Sequence, residues 1–106
     1  MVASAGLMKL RIRYNVSRLI MMGFGGKVLY PYMLFRDSQE RVTDKLFRHE
    51  MEHVYQIRRK GVFRFYIGYL LLAIRYGYKK HPYEVEANSV EDYQLTPIER
   101  SLKDGK

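Results

Sequence analysis

Apolar and polar residues alternate over residues 9–16, where Leu10, Ile12, Tyr14 and Val16 interleave with Arg11, Arg13 and Asn15. A period of two predicts a strand with one buried face. A short apolar run at residues 18–22 follows, punctuated by Gly23, Gly25 and Gly26. Residues 28–35 are rich in Val, Leu, Tyr and Phe and read as a second strand. Pro31 lies inside it and cannot donate to a ladder, so an edge strand or a bulge is expected. Residues 36–40 are polar and read as a loop. From there the period changes to that of a helix. The first helix has Thr43 or Ser38 as N-cap and Gly61 as stop; the second covers residues 62–76 and ends at Gly77. A third opens at Pro82 and ends near Tyr93. Thr96 and Pro97 begin a charged tail, residues 95–106, expected to be a mobile terminus. The pattern predicts an α+β domain: a small three-stranded, mainly antiparallel sheet and three helices.

Length agrees with one domain, since 106 residues bury only a modest core. The chain has no cysteine, which excludes disulfides and thiolate ligands and fits a cytoplasmic setting. Any metal would have to be held by histidine, carboxylate and water. With 19 Lys and Arg against 11 Asp and Glu, the net charge is +8. That favours acidic partners in general, but the basic residues are spread along the chain. No common nucleic-acid motif occurs, so nucleic acid is not the expected partner. Residues 1–6 are small and uncharged and precede Lys9, Arg11 and Arg13, the wrong order for a secretion signal. The most apolar run, residues 65–74, is about half the ~20 residues that a membrane span requires. The helix over residues 62–76 is nevertheless apolar nearly all round. The excess over a small core predicts contact with a second copy or with a membrane surface.

The chemistry concentrates in His49-Glu50-Met51-Glu52-His53, an H-E-x-x-H pattern that arises by chance in about one of two hundred chains of this composition. Histidines at i and i+4 share a helical face and can grip one metal ion, while Glu50 beside them can reach a metal-bound water. Leu46, Phe47, Glu50, His53, Val54 and Ile57 lie on one side with His49 at its edge. Arg48, Glu52, Arg58 and Arg59 point elsewhere. Ionisable groups on an apolar face are costly unless paired or metal-bound. A catalytic zinc takes three protein ligands and a water. The third ligand is to be sought among His81, Glu84, Glu86 and Glu91, and helical periodicity does not choose between Glu84 and Glu86.

Residues 49–56 (HEMEHVYQ), followed about thirty residues later by residues 82–88 (PYEVEAN), resemble the gluzincin metallopeptidases, and among them the short minigluzincins. The resemblance covers roughly residues 28–92. It implies a zincin-like minimal catalytic domain with one zinc ion held by His49, His53 and Glu84. Glu84 takes the place of the glutamate in the family's E-x-x-A type motif. It further implies hydrolysis of peptide bonds in a peptide or protein substrate, with Glu50 as general base, and an edge strand above the site. Some members resemble latent enzymes closed by a terminal segment, a part open to residues 95–106. Tyr76, Tyr78, Tyr83 and His81 are candidate second donors, and Asn88 is a candidate to orient a zinc-bound histidine. The strand over residues 28–35 is a candidate to hold an extended peptide. Two other readings compete: a non-catalytic zincin fold that binds metal or a partner, and a basic protein that binds nucleic acid or membrane surfaces and carries the pattern incidentally.

Overall fold

The computed structural model describes residues 9–105. Residues 1–6, read above for a secretion signal, lie outside the described residues, as does Lys106. The described residues are α+β, with a three-stranded sheet and five helices. In chain order these are β1 (Arg11–Arg13), α1 (Arg18–Met21), β2 (Gly26–Leu29), β3 (Tyr32–Phe35), α2 (Asp44–Lys60), α3 (Val62–Tyr76), α4 (Pro82–Ser89) and α5 (Pro97–Asp104).

The sheet differs from expectation in two ways. The single strand expected over residues 28–35 is a hairpin: Tyr30 and Pro31, joined by a cis peptide bond, separate β2 from β3. Proline thus sits at the reversal, where no ladder donor is needed. The sheet is also mixed. β2 and β3 are antiparallel, but β1 pairs with β3 in parallel, Ile12 opposite Met33. A parallel pair needs a crossover, and α1 with β2 supplies it. The order β1-β3-β2 leaves β2 as an edge strand.

α2 is the organising element. Thr43 caps it, its hydroxyl accepting from the Leu46 amide, and Gly61 ends it with φ 91°. Phe47, Met51 and Val54 recur at helical spacing and pack with Leu10, Met33, Phe35 and Val42 into the core beneath the sheet. The Phe35 ring stacks between Tyr14, at 5.6 Å, and Phe47, at 5.7 Å.

α2 is buried nearly all round, Arg48 and Glu52 included. What covers its Arg48 side is the chain end. Residues 97–104 form a capped helix, not a loose terminus. Thr96 and Glu99 make a capping box, with Pro97 in the first turn. Glu99, with no exposed surface, receives both short hydrogen bonds from Arg48 Nη1, at 2.6 Å each, and one from the Tyr55 hydroxyl. The Lys103 carbonyl accepts from Tyr14 Oη at 2.5 Å and from Gln39 Nε2 at 2.8 Å. Among the described residues no helix is long and apolar enough to cross a membrane.

Candidate metal centre

His49 and His53, one turn apart on α2, face α4, which brings Glu84 to them. Pro82 at the start of α4 fixes the helix entry, and His81 caps it by accepting from the Tyr83 amide at 3.1 Å. The Nε2 atoms of both histidines converge on one oxygen of Glu84, Oε1, at 2.9 Å from His49 and 3.2 Å from His53. One ligand atom from each of these three residues lies within 4.8 Å of the other two. The other Glu84 oxygen accepts from the Tyr69 hydroxyl at 2.6 Å.

The far nitrogens are equally committed. His49 Nδ1 is 2.7 Å from Glu91 Oε2, and His53 Nδ1 is 2.9 Å from Gln56 Oε1. Gln56 donates its Nε2 to the Tyr83 carbonyl, at 3.0 Å, and to Glu86 Oε1, at 2.7 Å. Its amide oxygen must therefore face His53 and accept from Nδ1. Such partners fix the ring orientation and leave Nε2 aimed at the shared point.

With acceptors on both nitrogens, each ring is held as a double donor, which is the charged form. Burial opposes that charge on His49. The hydrogen bond to Glu84, the nearby Glu50 charge and the hydrogen bond to Glu91 outweigh it and raise the pKa to about 9. His53 is raised for the same reasons: burial opposes, while the Glu84 hydrogen bond and the Glu50 and Glu84 charges prevail. Glu84 moves the other way. Burial would raise it, but the hydrogen bonds from His49 and His53 hold it far below the carboxylate range. The arrangement therefore collects positive charge between two imidazoles and a carboxylate. That is where a divalent cation fits in place of two protons, with a His-His-Glu donor set of the kind that suits zinc.

Glu50 is buried beside this point. Burial raises its pKa to about 7, against the lowering pull of His53 and His49. Its side chain lies under the edge strand, where the absence of a Cβ at Gly26 eases the close approach. A Cβ on Gly26 would stand 3.0 Å from Glu50 Cγ and 3.1 Å from the Phe35 ring. The same cluster floors a cleft of ≈ 290 Å³ between β2 and α3, walled by Phe24, Val28 and Leu29 on one side and Phe65, Tyr66, Tyr69 and Tyr78 on the other. None of its lining residues belongs to α5.

The other expected residues fall elsewhere. Glu86, two positions from Glu84, points away and bonds Gln56 and Arg59. His81 is fully buried, its Nε2 2.9 Å from the Tyr69 carbonyl, and serves the helix cap. Glu91 reaches Nδ1 of His49 rather than the shared point. Asn88 is exposed, and the orienting role expected of it falls to Glu91 and Gln56. Of the candidate donors, Tyr78 lines the cleft. Its hydroxyl is pushed up to about 12 by burial and by the Glu84 and Glu50 charges, so it keeps its proton. Tyr83 stacks on Phe65 at 5.3 Å, and its hydroxyl fills the space left by Gly68, where a Cβ would stand at 2.6 Å. Gln56 and Tyr69 were not among the sequence candidates. A glutamine three residues after His53, on the same helical face, was the available signal for the first.

Compared with protein-family models, curated proteins and solved structures, the chain matches none.

Proposed function

We propose that the chain is a zinc-dependent metallopeptidase with a zincin-like catalytic domain, in which His49, His53 and Glu84 hold the metal and Glu50 is the general base. One observation carries the reading: two imidazole Nε2 atoms meet a single carboxylate oxygen beside a second, buried carboxyl, that of Glu50, at the floor of a cleft bordered by the edge strand β2.

A zinc ion bound there supplies a Lewis acid for the scissile carbonyl and acidifies a water. The chain's own groups do the rest. Glu50, buried beside the point where the metal would sit, takes a proton and returns it to the leaving nitrogen. Tyr69 fixes Glu84 through its free oxygen. Tyr78, protonated and on the cleft wall, offers a donor to negative charge developing on the carbonyl oxygen. The peptide lies along β2, with its side chains against the aromatic wall. Strand pairing is limited at one end. Tyr66 Oη donates to the Val28 carbonyl at 2.9 Å and accepts from the Tyr30 amide at 3.0 Å, so those groups are already engaged.

The test is elemental analysis with a peptide-library assay on the full chain. One zinc per chain is expected, with hydrolysis that Glu50→Gln reduces by about 10²–10⁴-fold while zinc is retained. Zinc-saturated protein holding well under one equivalent sinks the metal site. Stoichiometric zinc with no turnover leaves a non-catalytic metal-binding domain. Turnover unchanged in Glu50→Gln removes that residue as the base.

A further inference from the structure

The outer face of α3 is left uncovered by the fold. Phe65 points inward and Tyr66 and Tyr69 line the cleft, whereas Phe63, Ile67, Leu70, Leu71 and Ile74 follow one another at helical spacing and are exposed, Phe63 at 84% and Ile74 at 76%. At about 100° per residue these five form one continuous apolar stripe. Arg64 and Arg75, both exposed, follow one border of it, and the exposed Lys79 and Lys80 come just after the helix. The Tyr66 border of the stripe is the one that meets β2.

Charge around the stripe is one-sided. The chain's basic residues are distributed throughout, but its acidic residues are not. Between Glu52 and Glu84 there is no Asp or Glu, and the interval contains seven Lys and Arg. We infer that this face is an attachment surface for an anionic phospholipid bilayer, with α3 lying in the plane of the headgroups, its stripe in the acyl boundary and its cations on the phosphates.

Length and charge select this occupant. Fifteen residues of helix span about 22 Å, short of the ~30 Å hydrocarbon core, so α3 can lie on a bilayer but not cross it. An apolar face bordered by Lys and Arg is the chemistry of interfacial helices, where apolar burial and attraction to anionic lipid act together. A second copy fits less well. Across a contact between two such stripes, α3 offers no Asp or Glu to answer Arg64 and Arg75. The inference does not depend on metal or catalysis.

Flotation of the full chain with vesicles tests it. Binding is expected to vesicles of phosphatidylcholine mixed with phosphatidylserine, to be far weaker with phosphatidylcholine alone, and to fall with added salt. Phe63→Gln/Leu70→Gln/Ile74→Gln, all at exposed positions, should abolish flotation with an unchanged circular dichroism spectrum. Lys79→Glu/Lys80→Glu, off the helix, should weaken binding by about fivefold or more per residue on the mixed vesicles. The proposal is overturned if the wild type fails to float with the mixed vesicles, or if both variants float like wild type. It is equally overturned if sedimentation gives a dimer that the triple substitution dissolves, which assigns the stripe to a second copy.

Discussion

Gln56 links the stability of the fold to the order of the site, and Gln56→Met separates the two contributions. Methionine keeps the length and approximate volume of glutamine, so the packing of this fully buried side chain changes little. What disappears is the amide. Three hydrogen bonds go with it: to the Tyr83 carbonyl, to Glu86 and from His53 Nδ1. Glu86 is half exposed, keeps Arg59 and regains water, so its loss costs little. The Tyr83 carbonyl keeps its place as a helical acceptor within α4, so only His53 Nδ1 is left in the interior without a partner. At about 1–3 kcal/mol for a buried group so left, the metal-free protein should lose about 1–3 kcal/mol. That is a measurable share of the ~5–15 kcal/mol stability of an ordinary domain. The second consequence is chemical. Without an acceptor at Nδ1, the His53 ring is no longer held with Nε2 toward Glu84, and zinc affinity should fall by about 10–100-fold. Urea denaturation of the metal-free protein reads the first effect, and competition with a zinc chelator reads the second. An unchanged midpoint together with unchanged zinc affinity would refute the claim that Gln56 orients His53.

Three further outcomes follow from the same contacts. Glu84→Ala should weaken zinc binding far more than Glu86→Ala, because only Glu84 meets the two Nε2 atoms; equal losses in a zinc titration would move the third ligand elsewhere. Glu99→Gln should cost about 3 kcal/mol or more in urea denaturation, since it strands the buried Arg48, whose Nε already has no partner; a loss near zero would mean α5 is not held by this pair. Tyr14 has its pKa raised from 10.0 to about 12 by burial and then by the Asp104 charge, so the folded state keeps a proton that the unfolded chain gives up. Its contribution is complete below pH 10 and is lost as pH rises toward 12. Tyr14→Phe should therefore flatten that alkaline decline in thermal unfolding, and a variant as steep as wild type would assign the decline to other tyrosines.

Three of the helices, α2, α3 and α4, were legible because they carry their own punctuation. Thr43, Gly61, Gly77 and Pro82 stand at the boundaries where capping and proline chemistry put them. The candidate residues His49, Glu50 and His53 were legible for a similar reason, since i and i+4 on a helix is a local relation. The choice between Glu84 and Glu86 was not local. Both flank the packed face of α4, and only the placement of α4 against α2 turns one toward the histidines and the other toward Arg59. The hairpin was hidden because Tyr30 and Pro31 interrupt a run whose composition stays strand-like throughout. The parallel pairing of β1 was hidden because alternation gives the faces of a strand and not its neighbour.

The chain end shows a subtler failure. Residues 95–106 are charged and short, and charge in a terminal segment usually means solvation. Here charge pairs join apolar contacts in docking the segment, with Leu95 and Leu102 packed against the core. Glu99 answers Arg48, while Asp44 is bonded by Arg100 and lies 3.4 Å from Lys103. No pattern within residues 95–106 contains that information, because Arg48 and Asp44 lie about fifty positions upstream. One practical consequence is that cutting the chain at Leu95 would expose Arg48 and Tyr55. A truncated form would confound lost stability with any release of the cleft, so activity is best tested on the full chain.

These two clusters show why a helix with so many buried ionisable residues can sit at the centre of a small domain. On the α5 side, a cation is matched by an anion, and the Tyr55 hydroxyl and the capping box use the remaining lone pairs of Glu99. That cluster is matched in charge, with Arg48 Nε its one polar atom left without a partner. On the α4 side, two imidazoles face the buried carboxyls of Glu50 and Glu84 and the partly exposed carboxyl of Glu91, an excess of acid over the two rings. Left alone, it recruits protons: the histidine pKa values rise, and Glu50 is drawn toward neutrality. Burying such an excess without compensation costs more than either a proton or a metal ion would cost to bind. The asymmetry between one cluster already matched in charge and one that still calls for positive charge is the physical argument behind the proposed metal between His49, His53 and Glu84.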